Sequence, residues 1–131
     1  MKALDTNVLV RFLVKDDHQQ FEMANRLITD AEAKKQPLFT TLLVVLELIW
    51  VLESVYSVTR SDILSSLNNL LSMPALEFEN QAVLRTFLSS ASNNKFDLAD
   101  LLIAHSGIHA GAKTTLTFDK KAAKSEFFEG L

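Results

Sequence analysis

The chain contains no cysteine. Disulfides, iron–sulfur clusters, cysteine zinc sites and thiol nucleophiles are therefore excluded. This composition is compatible with a reducing cytoplasm, where we expect the protein to work. Glycine and proline are scarce, with three and two residues in 131. No GxGxxG, GxxxxGK[ST] or GxSxG pattern occurs. A glycine loop cradling phosphates and a serine nucleophile elbow are thus absent. Long apolar runs are missing too. The longest, residues 42–52, is interrupted by Glu47, whereas a bilayer crossing takes roughly 20 apolar residues. The opening MKALDTNVLV sets an aspartate inside its first apolar stretch, unlike a secretory signal. We expect neither a targeting signal nor a membrane segment. A surplus of positive charge is also lacking, since the net charge is −3. That argues against a basic coat for nucleic acid. It leaves room for a nuclease whose carboxylates bind metal.

What is present suits one compact domain over residues 1–131, with 48% hydrophobic and 22% charged residues. Residues 2–5 read as a short apolar strand and 7–15 as a short helix. Residues 18–34 form a longer amphipathic helix, with Phe21, Ala24, Leu27, Ile28 and Ala31 on one face. Strands are expected at 38–40, 75–78 and 114–117. Helices are expected at 42–57, 61–73, 80–92 and 96–110. Ser61 is the expected N-cap of its helix, Pro74 its stop, and Gly111 the stop of the last helix. Residues 122–129 form a terminal turn or short helix, followed by an edge strand. Strands alternating with helices predict an α/β fold with a mainly parallel sheet. Ligands of such sheets bind beyond the carboxyl ends of the strands. Asp5 and Asp119 each follow a predicted strand directly.

Four acidic positions stand out. Asp5, read alone, fits a helix cap as well as a ligand. Glu47 lies in LLVVLELIWVL, a helix apolar enough to be buried on most faces. A carboxylate buried there needs a partner or a metal, and no basic residue stands three or four positions away. A core salt bridge or an exposed stripe are the alternatives. Asp97 and Asp100, in FDLADLLIAH, share one edge near a helix start, where acids also suit the helix dipole. Asp100 sits deeper and is the preferred ligand; Asp97 reads as a cap or a supporting group. Asp119 follows TLTF and precedes three nearby lysines, a setting that also fits an N-cap. Hard oxygen donors of this kind suit Mg²⁺ or Mn²⁺. Such ions can activate water and stabilise an in-line displacement at phosphorus.

The opening LDTNVLV, the Glu47 helix, the FDLADLLIAH segment and the TFDKKA ending together resemble a PIN domain. The resemblance covers essentially the whole chain, and it is closest to the toxin ribonucleases of VapBC toxin–antitoxin pairs. It implies a three-layer α/β/α sandwich around a mainly parallel sheet of about five strands. It implies RNA cleavage dependent on Mg²⁺ or Mn²⁺, with Asp5, Glu47, Asp100 and Asp119 as the catalytic, metal-binding quartet. Asn7 would help hold the first acid, and Thr117 would be the polar residue near the last. The resemblance also implies a small antitoxin partner and a homodimer formed through helices.

Other features weigh less. His105 and His109 stand four apart, as zinc pairs can, but point away from Asp100 on a helix and read as outer-face histidines. Trp50 and Tyr56 read first as core, and alternatively as a dimer or partner groove. Arg11, Lys15, Lys95, Lys120, Lys121 and Lys124 could hold phosphates beside the acids or simply be solvated. Two other functions compete. One is a catalytically idle PIN module that only binds a partner. The other is an aspartate-dependent phosphatase, which usually needs a second acid where this chain has Asn7.

Overall fold

A computed structural model describes residues 1–131. The chain divides into two compact units, Met1–Glu79 and Asn80–Leu131. No helix is long and apolar enough to cross a membrane.

In the first unit the backbone alternates between extended segments and helices. The N–H of Leu4 donates to the Phe39 carbonyl, and the N–H of Phe39 donates to the Lys2 carbonyl, both at 2.8 Å. These bonds make a parallel bridge between Ala3 and Phe39. Strand β1 (Leu38–Thr40) pairs in parallel with β2 (Leu76–Phe78), Leu38 opposite Leu76 and Thr40 opposite Phe78. Leu38, Thr40, Leu76 and Phe78 are buried while Phe39 and Glu77 are not, the period-two pattern of a strand with one core face. Thr40 and Thr6 are buried with hydroxyls that have no hydrogen-bond partner.

Four helices complete this unit. Helix α1 (Thr6–Val14) is capped by Asp5 and ends at Lys15, whose φ of 61° is left-handed. Helix α2 (His18–Ala33) is capped by Asp17 and buries Ala24, Ile28 and Ala31, the stripe expected of an amphipathic helix. Helix α3 (Leu42–Ser54) is capped by the Thr41 hydroxyl, which accepts from the Val44 N–H at 3.2 Å. It stops short of residue 57, because Ser57 is left-handed and the Val58 N–H turns back to the Leu52 carbonyl. Helix α4 (Arg60–Leu71) starts one residue before the expected Ser61 cap. Its cap is Thr59, whose extended backbone presents the hydroxyl to the Asp62 N–H. Helix α1 packs on α2 and α3, and α4 packs on β2 and α3.

The second unit pairs α5 (Gln81–Ala91) with α6 (Leu98–His109). Phe87, Leu98, Leu101 and Ala104 are fully buried there. Asp97 caps α6, so the helix begins two residues later than the sequence suggested. Gly111, at φ 108°, follows its end. Strand β3 (Thr115–Thr117) pairs in parallel with β4 (Phe128–Gly130) across a 3₁₀ turn at Ala122–Lys124. The expected mainly parallel arrangement holds. All five extended segments, counting the Ala3 bridge, pair in parallel.

Three side-chain expectations are overturned. Glu47 is exposed rather than buried, because α3 buries Val45, Leu48, Ile49 and Leu52 and leaves a stripe outside. Trp50 lies on that stripe, 59% exposed, with Leu43 beyond Glu47 at 77%; it is not core. His105 is not on an outer face. It continues the buried Leu98–Leu101 stripe of α6, and its ring stands 4.7 Å from that of Phe127. Pointing away from Asp100 did not mean pointing to solvent. Burial pushes the His105 pKa down, and its Nε2 has no partner. His109 is exposed, as expected.

Candidate metal centre

Asp5 ends the extended segment that bridges to Phe39. Its Oδ1 accepts the Thr6 N–H at 2.8 Å, so the carboxylate is fixed at the first turn of α1 while remaining exposed. Asn7 is exposed on that turn and makes no hydrogen bond to Asp5. Glu47 projects from α3, the helix against which α1 packs. Arg11, a candidate phosphate holder, is already engaged. Its guanidinium donates to Asp16 at 2.9 Å, to the Tyr56 hydroxyl at 3.0 Å and to Gln20 at 2.6 Å. Tyr56 in turn donates to Asp16 at 2.9 Å.

The second unit gathers three of the acids. The Asp97 carboxylate accepts the Asp100 N–H at 3.0 Å, which ties the two acids into one cap at the start of α6. Asp119 accepts the Lys121 N–H at 2.8 Å and the Ala122 N–H at 3.3 Å. Its own N–H donates to the Thr117 hydroxyl at 3.0 Å, so Thr117 holds the turn that presents Asp119. Burial raises the Asp100 pKa, and the charges of Asp97 and Asp119 raise it further. The surroundings of half-buried Asp100 thus resist its ionisation.

The donor chemistry fits a divalent cation. The groups are carboxylate oxygens, and the mutual repulsion felt at Asp100 is what a cation would relieve. In neither unit, however, do three or more such side chains stand close enough together to hold an ion. The arrangement carries the donors but not a closed coordination sphere.

Glu79 was missed in the sequence. Its carboxylate accepts the Leu42 N–H, the first of α3, at 2.8 Å. Its signal is its place: Glu79 directly follows β2, and Asp5 and Asp119 come two residues after an extended segment.

These features belong to a known class of protein. Residues 2–127 match the PIN domain, and the chain is a member of the PIN-domain family, a three-layer α/β/α fold. Among curated proteins it is similar to a VapC ribonuclease of Aquifex aeolicus (strain VF5). The two are 26% identical over 127 residues, which cover 97% of this chain and 93% of the relative.

Proposed function

We propose that the chain, as one PIN domain over residues 1–131, is a metal-dependent endoribonuclease and the toxin of a VapBC-type pair. The observation that carries this reading is the carboxylate cluster of the second unit, where Asp97 and Asp119 oppose ionisation of Asp100. A cation placed beside Asp100 would relieve that repulsion. Asp5, Glu47, Asp100 and Asp119 are the metal-binding and catalytic set, with Asn7, Asp97 and Thr117 in support. Bound Mg²⁺ or Mn²⁺ would supply a Lewis acid and an activated water for attack at phosphorus. The protein's own part is to hold its carboxylates against their repulsion. Thr117 fixes Asp119, Asp97 fixes the first turn under Asp100, and Thr6 fixes Asp5.

The test is cleavage of defined single-stranded RNAs with Mn²⁺, with Mg²⁺ and with EDTA, using Asp5→Asn as control. Cleavage only with metal, leaving a 5′-phosphate, is expected. Activity in EDTA, or a 2′,3′-cyclic phosphate product, would overturn the mechanism.

The partner half of the reading rests on the outer stripe of α3, where Leu43 and Trp50 are exposed. Apolar area of this kind suits an interface. We assign it to a homodimer, working in the cytoplasm and restrained by a small antitoxin. Co-expression with a small adjacent gene should restore growth of a host poisoned by the chain. An active chain harmless to its host without any partner would end the toxin assignment.

A further inference from the structure

Glu79 joins two parts of the first unit that carry chemistry. Its N–H donates to the Thr40 carbonyl at 2.9 Å, extending the pairing of β1 with the chain after β2 by one step. Its carboxylate accepts the Leu42 N–H at 2.8 Å. One residue thus anchors its main chain on a strand and its side chain on the first turn of α3. Glu47 lies five positions beyond Leu42 on the same helix, about one and a half turns.

The bond is more than a routine cap. The first turn of a helix leaves four N–H groups without partners. In α3 the Thr41 hydroxyl already takes the Val44 N–H, and the Thr41 carbonyl takes that of Val45. The helix therefore has its own cap without Glu79. What the Glu79 carboxylate adds is a charge-assisted link at the positive end of the helix dipole. That link comes from another element, and it ties the first turn of α3 to the chain that follows β2. Glu79 is not one of the quartet, and its bond is placed to orient the helix that carries Glu47.

We propose that Glu79 is a positioning residue for Glu47, and hence for metal binding. This rests on the nuclease reading, in which Glu47 is a ligand. Glu79 touches neither substrate nor ion. Its removal loosens the first turn of α3, and Glu47 then meets the ion in a wider spread of positions. Its amide counterpart keeps the acceptor oxygen and so keeps the link.

The experiment uses the full chain with Glu79→Ala, Glu79→Gln and Asp5→Asn. Mn²⁺ binding is titrated by calorimetry, RNA cleavage is measured with Mn²⁺, and amide exchange of Leu42–Val44 is followed without metal. For Glu79→Ala we expect faster exchange at Leu42, a Mn²⁺ midpoint raised by about tenfold, and kcat lowered by about tenfold with KM for RNA unchanged. Glu79→Gln should restore all three to within about twofold of the parent. A Glu79→Ala protein that binds Mn²⁺ and cleaves as the parent does would overturn the proposal. So would a Glu79→Gln protein as defective as Glu79→Ala, since the charge itself would then contact ion or substrate. A parent that neither binds Mn²⁺ nor cleaves, or an Asp5→Asn protein as active as the parent, overturns the nuclease reading instead. The Leu42 exchange rates alone would then judge the link to α3.

Discussion

The two units hold their acids under different conditions. In the first, Asp5 and Glu47 are exposed, Asp5 as the cap of α1 and Glu47 on α3. In the second, the charges of Asp97 and Asp119 act on Asp100, which is half-buried with a raised pKa. Asp5 and Glu47 are open to solvent, whereas Asp100 faces two like charges with part of its hydration gone. A cation placed beside Asp100 would offset a penalty that folding has already imposed.

The largest expected effect comes from removing that penalty. Asp100→Asn should lower metal-dependent cleavage by more than about 100-fold. It should also raise the melting temperature in EDTA at pH 7.5 by about 1–3 °C. The direction follows from linkage. A raised folded pKa means that the penalty is absent at low pH, grows as pH rises through the folded pKa, and is complete at neutrality. A lower melting temperature for Asp100→Asn at pH 7.5 would show that the carboxylate is a structural partner.

Glu47→Gln sharpens the contrast. Cleavage should fall by a similar factor, about 100-fold. Because Glu47 is exposed, the metal-free melting temperature should stay within about 1 °C of the parent. A rise equal to that of Asp100→Asn would erase the difference between the units.

A smaller effect is expected at Thr40, in the core of the first unit. Its hydroxyl is buried without a partner, and valine has the same shape without the polar atom. Thr40→Val should stabilise the protein by about 1 kcal/mol in urea denaturation. Destabilisation would mean that the hydroxyl is bonded in solution, most simply to an ordered water.

The smallest effect concerns His105 in the second unit. Burial lowers its folded pKa, so its contribution is complete above the unfolded value of about 6.5. It is lost as pH falls from there through the folded pKa, because the unfolded chain takes up the proton first. Between pH 7.5 and 5.5 the parent should lose about 1–2 °C more than His105→Leu. Parallel pH profiles for the two proteins would refute the assignment.

Much of the fold was legible because the signals were local. The strand at Leu38–Thr40 lies between Pro37 and the Thr41 cap, and the α2 stripe repeats at helical spacing. Helix ends were legible to within one to three residues, since Thr59 and Ser61 are both good caps and only backbone conformation chooses between them. Asp5, Asp97 and Asp119 were legible as strand-end or helix-start acids from their local sequence. What sequence could not supply was rotation. Glu47 sits in so apolar a run that burial was the natural inference, yet α3 has apolar residues to spare and turns Glu47 outward with Leu43 and Trp50. His105 erred the other way, because only its angle to Asp100 was considered. Glu79 escaped notice because its partner, the Leu42 N–H, belongs to a distant part of the chain.

The parallel pairs also set a schedule for folding. Strand β1 can meet β2 only after the chain from Leu38 to Leu76 has come round, with two helices between them. Strand β3 meets β4 across the much shorter span from Thr115 to Phe128. A loop about three times as long costs about 1 kcal/mol more entropy to close, and such distant pairing slows folding. The short pair encloses Asp119 and its Thr117 anchor. That acid therefore reaches its native turn during an early, local closure. The Thr40–Glu79 junction waits for the slow one. A full-length chain refolding from denaturant would thus finish its Asp119 turn before the Thr40–Glu79 junction has locked.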